Sequence, residues 1–95
     1  MNEQQKQQIQ LKADDAALKG AYANLMQVSH TREEFVLDFI FMHPPVGTLS
    51  SRVIASPGHL KRIIAALQEN VAQYERAFGK IEPAEEPQSS IGFAP

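Results

Sequence analysis

SPGHLKRIIAALQENVAQYERAFG, residues 56–79, carries its own start, apolar stripe and stop, and the fold is read outward from it. Ser56 is a suitable N-cap, because its hydroxyl can accept from a free N–H of the first turn. Pro57 follows at the first helical position, where a missing N–H costs nothing. Leu60, Ile63, Ile64, Leu67, Val71, Tyr74 and Phe78 recur at steps of three and four, which places them along one side of a 3.6-residue repeat. Gly79 can adopt the backbone that ends a helix, and Ile81 can pack back on the last turn. The pattern predicts a helix over 57–78. Its apolar side is broad, with Ala66, Asn70 and Ala77 beside Ile63, Leu67 and Tyr74. One side is therefore expected to meet a sheet and another a partner, with Asn70 either fixing the register of a helix pair or simply exposed.

Upstream, EFVLDFIFMH (34–43) is the strongest strand, rich in aromatic and β-branched residues. Alternation puts Phe35, Leu37, Phe39 and Phe41 on a core face and Val36, Asp38, Ile40 and Met42 on a back face. The back face is more apolar than a solvent face usually is, so either the sheet is covered on both sides or that face meets another chain. Before it, Ala21–His30 alternates as a strand, joined through Thr31, Arg32 and Glu33 in a hairpin. After it, Pro44, Pro45, Val46, Gly47 and Thr48 read as a loop, and Leu49–Ala55 as a third strand. Antiparallel pairing around that loop assigns Leu49, Val53 and Ala55 to the phenylalanine face. It assigns Ile54 and Arg52 to the back, where Arg52 falls opposite Asp38. The expected fold is α+β: a three-stranded antiparallel meander (about 21–30, 34–43, 49–55), then one long helix (about 57–78).

Residues 1–20 are Gln-rich and then Ala-rich, a flexible polar arm with a frayed or partner-induced helix at Gln8–Lys19 as an option. Residues 82–95 read as a disordered acidic, proline-bearing tail, whose apolar Ile91, Gly92 and Phe93 could dock on another protein. The domain proper is 21–81. At about sixty residues its core is marginal alone, which favours self-association.

Nine Lys+Arg against eleven Asp+Glu leave a net charge of −2, so the basic footprint of a nucleic-acid binder is missing. A chain without cysteine has no disulfide framework, no thiolate nucleophile and no cysteine metal site, and it fits a reducing compartment. MNEQQKQQIQ lacks the apolar run of a signal peptide, no stretch reads as a membrane span, and the expected location is the cytoplasm.

Candidate chemistry is sparse. Asp38 among Val36, Ile40 and Met42 could be a carboxyl raised by burial, but with Arg52 opposite it reads as a cross-strand ion pair. His30, His43 and His59 show no HxH or HxxxH spacing that would bring in zinc. Ser56, Gly58, Lys61 and Arg62 at the helix start form a weak candidate anion site. No catalytic residue, metal or cofactor is assigned.

The set Tyr22-Ala-Asn24, Glu34-Phe35 with Asp38-Phe39, Arg52-Val53 with Ser56-Pro57, and Asn70, Tyr74-Glu75, Phe78-Gly79-Lys80-Ile81 resembles a family of small bacterial proteins catalogued only as a domain of unknown function. The resemblance runs from Gly20 to Ile81, outside arm and tail, and implies a bacterial cytoplasmic domain with no established activity.

The functional expectation is a non-enzymatic homodimer that binds another protein, with Val36, Asp38, Ile40, Met42, Arg52, Asn70 and Tyr74 at the self-association surface. Three alternatives stand beside it, one of them an enzyme, which would need a pocket converging on Asp38 or the histidines. A chaperone-like protein would receive extended apolar segments on the sheet, and a nucleic-acid-associated protein would use Arg32, Arg52, Lys61 and Arg62 on phosphates.

Overall fold

The computed structural model describes residues 7–85. Element order is α1 (Asp15–Lys19), β1 (Leu25–His30), β2 (Phe35–His43), β3 (Val46–Ala55) and α2 (Pro57–Phe78). The strands form one antiparallel sheet in the order β1-β2-β3, so the expected meander followed by a long helix is the fold. The tail's Ile91–Phe93 lies outside the described residues.

Local chemistry sets each boundary. The β1–β2 turn is closed by Thr31, whose N–H donates to Glu34 O (2.9 Å) while its Oγ1 accepts from the N–H groups of Glu33 and Glu34. Between β2 and β3 only Pro44 and Pro45, joined by a cis peptide bond, stand outside the ladder. Val46, Gly47 and Thr48, expected in a loop, instead pair with His43, Met42 and Phe41. Each still has the N–H that the prolines lack, so the ladder resumes at once.

A β-bulge corrects one facing assignment. Phe39 pairs with Ser51 but Ile40 with Leu49, leaving Ser50 as the extra residue. Leu49 therefore joins the Ile40 face and not the phenylalanine face. Ser50 uses its displaced position to donate from Oγ to Tyr22 O at 2.9 Å.

β1 starts at Leu25, four residues later than the alternation suggests. Asn24 extends it by side chain: Oδ1 accepts from Met42 N–H at 2.8 Å and Nδ2 donates to Met42 O at 2.9 Å, as a strand backbone would. Tyr22 packs edge-on against Phe41 with ring centroids 5.5 Å apart. Together these contacts tie residues 22–24 across β2 to β3. In the arm, α1 is a single short helix, N-capped by Asp14 and without a buried residue.

α2 begins and ends as its sequence dictates. Ser56 Oγ accepts from His59 N–H at 3.1 Å, and Gly79 closes the helix with its N–H on Glu75 O. Gly79 sits at φ 98°, ψ 171°, a region that only glycine occupies without strain. What differs from expectation is where the helix goes. None of its residues is buried, only Leu60, Ile63 and Glu75 are half-buried, and it makes at most marginal contact with any strand. The core of the chain is correspondingly thin: Leu37, Ile40 and Ala55, with Asp38. The radius of gyration is 17.5 Å, against about 12 Å for a compact chain of similar length. Residues 7–20, exposed throughout, contribute to that spread alongside the protruding helix.

Candidate functional site

Registry places the polar residues of the back face in one row. Gln27 pairs with Asp38 and Asp38 with Arg52, so a single line of polar side chains crosses all three strands. Arg52 grips both carboxylate oxygens, Nε to Oδ1 at 2.6 Å and Nη2 to Oδ2 at 2.9 Å. The bidentate hydrogen bond from Arg52, aided by its charge, holds Asp38 below the ordinary carboxylate range despite the opposing effect of desolvation. The same contact raises Arg52 further above its already high value. A carboxylate saturated in this way is a poor proton acceptor, so the row works as a register lock. The hollow beside it, lined by Gln27, Val28, Ser29, Asp38 and Arg52, is shallow and open to solvent.

The other sequence-derived candidates stay dispersed. Ser56 spends its hydroxyl on the helix cap, and Gly58, Lys61 and Arg62 are exposed, so the α2 N-terminus has no converging anion cradle. Among the described residues no three His, Asp or Glu side chains come together. His30 lies against Phe35 and His43 stacks on Phe41. Asn70 is exposed and turns back on its own helix, with Nδ2 donating to Ala66 O at 3.3 Å. No described helix is long and apolar enough to cross a membrane.

The extensive feature is apolar. On α2 the stripe of Ile64, Leu67, Val71, Tyr74 and Phe78 faces solvent, Leu67 at 62% and Phe78 at 77% exposure, with the rings of Tyr74 and Phe78 5.0 Å apart. On the sheet, pairing puts Met26, Val28 and Val53 on the same face as Phe35, Leu37, Phe39 and Phe41. That face, expected to be closed by α2, is only partly covered: Leu37 and Ala55 are buried and Phe35 and Phe39 half-buried, while Met26, Val28, Phe41 and Val53 are exposed, Val28 at 48%.

Of the residues expected at a self-association surface, Tyr74 is exposed, whereas Ile40 (3%) and Asp38 (7%) are already covered within one chain and have little area to offer. Val36 and Met42 are half-buried. Phe41 and Val53 were legible only as core, and Met26 and Val28 only as one side of an alternating strand, because alternation shows which side chains share a face and not whether anything covers it. The available signal was the link to α2, a single residue, which leaves no loop to fold a helix back.

Residues 1–83 match the family described as Protein of unknown function (DUF3467). The chain belongs to that family. The DUF3467 match takes in the arm as well as the strand–helix unit, so residues 1–19 join the Gly20–Ile81 span on which the sequence pattern rests. Neither a curated protein nor a solved structure matches. In this DUF3467 chain the pattern residues are structural in kind: Tyr22 and Asn24 tie the arm to the sheet, Asp38 and Arg52 lock register, and Ser56, Pro57 and Gly79 bound α2.

Proposed function

We propose that this protein is a non-enzymatic homodimeric module of the cytoplasm that binds another protein. The observation that carries the reading is the uncovered stripe on α2, from Ile64 to Phe78, together with the partly open phenylalanine face. Apolar surface of this extent is unfavourable in water by about 25 cal/mol per Å², and single folded chains seldom leave two apolar surfaces of this kind uncovered. The uncovered apolar side chains of helix and sheet amount to something on the order of 900 Å² per chain, close to the ~800 Å² per partner of a standard interface. The chain also presents 8793 Å² in total, where a compact monomer of 10.5 kDa would present about 5,400 Å². The exposed arm supplies part of that excess.

Other features argue in the same direction. The best-placed carboxylate, Asp38, is neutralised by Arg52 and not poised for proton transfer. A net charge of −2 gives phosphate little to bind, and a cysteine-free chain suits a reducing compartment. The polar arm and tail are the segments available for a different protein.

The test is the solution mass by light scattering of the protein and of Leu67→Glu. Leu67 is exposed in a single chain, so the charge breaks no contact within that chain and acts through association. Twice 10.5 kDa is expected for the protein and a lower mass for the variant. A protein that is monomeric at tens of micromolar contradicts the reading. A chaperone-like role is the second reading, favoured by the exposed Met26, Val28, Phe41 and Val53. It predicts that the free protein binds a hydrophobic dye on that face, and that an extended apolar peptide displaces the dye.

A further inference from the structure

Taking the homodimer as its basis, we infer that the two chains exchange helices, α2 of one protomer covering the phenylalanine face of the other. The first ground is the link between β3 and α2. β3 ends at Ala55 and α2 begins at Pro57, so Ser56 alone connects them. Proline restricts the residue before it to extended backbone, and Ser56 is extended at φ −67°, ψ 157° with its side chain committed to the cap. Connections that bring a helix back over its own sheet commonly take about two to six residues. Here the direction of α2 is set at its first turn, and past Leu60 and Ile63 it runs clear of the strands.

The second ground is fit. Three strands span about 10 Å between the axes of the outer two, and a helix with its side chains is about 10–12 Å across, so one helix covers this sheet from edge to edge. The stripe from Ile64 to Phe78 is about 21 Å long at 1.5 Å per residue, and β2 is about 30 Å long. Stripe and face therefore agree in width and overlap in length.

The third ground is closure. Under two-fold symmetry the exchange is reciprocal: each protomer gives one helix and receives one, so the α2 stripe and the exposed side chains of the phenylalanine face cover each other, while Leu49 and Ile54 on the opposite face stay exposed. A seam made by the two α2 helices alone would cover the stripes and leave Met26, Val28, Phe41 and Val53 in water on both chains. Exchange also leaves the Gln27–Asp38–Arg52 row on the outer side of each sheet, where Gln27 and Arg52 stay exposed and Asp38 keeps its ion pair.

The chain has no cysteine, so single cysteines report without background. Val28→Cys chains are mixed with equal amounts of Ile64→Cys, Leu67→Cys or Val71→Cys chains, refolded together, and treated with a short bismaleimide. Circular dichroism and solution mass are checked first. Exchange predicts that the mixed cross-link, between the β1 cysteine of one chain and the α2 cysteine of the other, is the dominant product in at least one pairing. Dominant helix-to-helix or β1-to-β1 products in every pairing, at dimeric mass, overturn the exchange and leave the homodimer standing. Monomeric mass for the unaltered protein overturns both. A measurement without substitutions stands behind it: in dimers of labelled and unlabelled chains, interchain NOEs from the Leu67 and Val71 methyls to those of Met26 and Val28 are expected. Their absence from a folded dimer refutes the exchange.

Discussion

At the scale of single residues, the Asp38–Arg52 pair links stability to pH in a definite direction. Asp38 titrates below its ordinary 3.8 in the folded chain because Arg52 holds the charged form. Between the folded and unfolded values the unfolded chain binds more protons, so stability rises with pH there. The contribution of the pair is complete above the unfolded value and is lost as the pH falls through the folded one. Urea midpoints followed from pH 7 down to pH 3 should show the protein above Asp38→Asn at neutral pH, with the gap closing below 3.8. Parallel curves would mean that the contact contributes nothing. Asn24 makes a second residue-level case, since it both donates to and accepts from Met42. Asn24→Asp keeps the acceptor, removes the donor and sets a carboxylate against a carbonyl oxygen, at a cost of about 1–2 kcal/mol in chemical denaturation.

At the scale of elements, α2 was legible almost to the residue because Ser56, Pro57 and Gly79 are local signals that need no tertiary context. Gly79→Ala tests that reading: a Cβ meets no atom there, yet φ of 98° strains any L side chain. The expected loss is about 1–2 kcal/mol, seen as lower helix content or an earlier thermal transition. The strands were legible in number and pairing but less so at their ends. Val46–Thr48 looked like loop because two prolines precede them, and the bulge at Ser50 that turns Leu49 to the Ile40 face has no signature in the alternation. Which sheet face is covered was not legible at all, since coverage depends on where α2 goes and not on the pattern of β2. Ile40 shows the consequence. At 3% exposure it is enclosed by its own chain, so Ile40→Glu should unfold the sheet, at about 4 kcal/mol or more, and not merely separate two protomers. A folded monomeric Ile40→Glu would show that the back face is the interface after all.

At the scale of the molecule, a sheet with a thin core and a 22-residue helix without a buried residue make an incomplete unit. Most of a helix's stability in a protein comes from packing its apolar face, and a three-stranded sheet needs a covered face. In the proposed dimer both requirements are met together, a second chain supplying the missing cover, and folding and association would be one event. Unfolding should then depend on protein concentration by mass action, with a hundredfold increase adding about 2.7 kcal/mol. The most direct measurement is urea unfolding at two concentrations a hundredfold apart, with helix content and near-ultraviolet tyrosine signals recorded on the same samples. The account predicts that both signals move together to a higher midpoint at the higher concentration. Midpoints that coincide at the two concentrations would contradict it, because α2 would then be stable without a second chain.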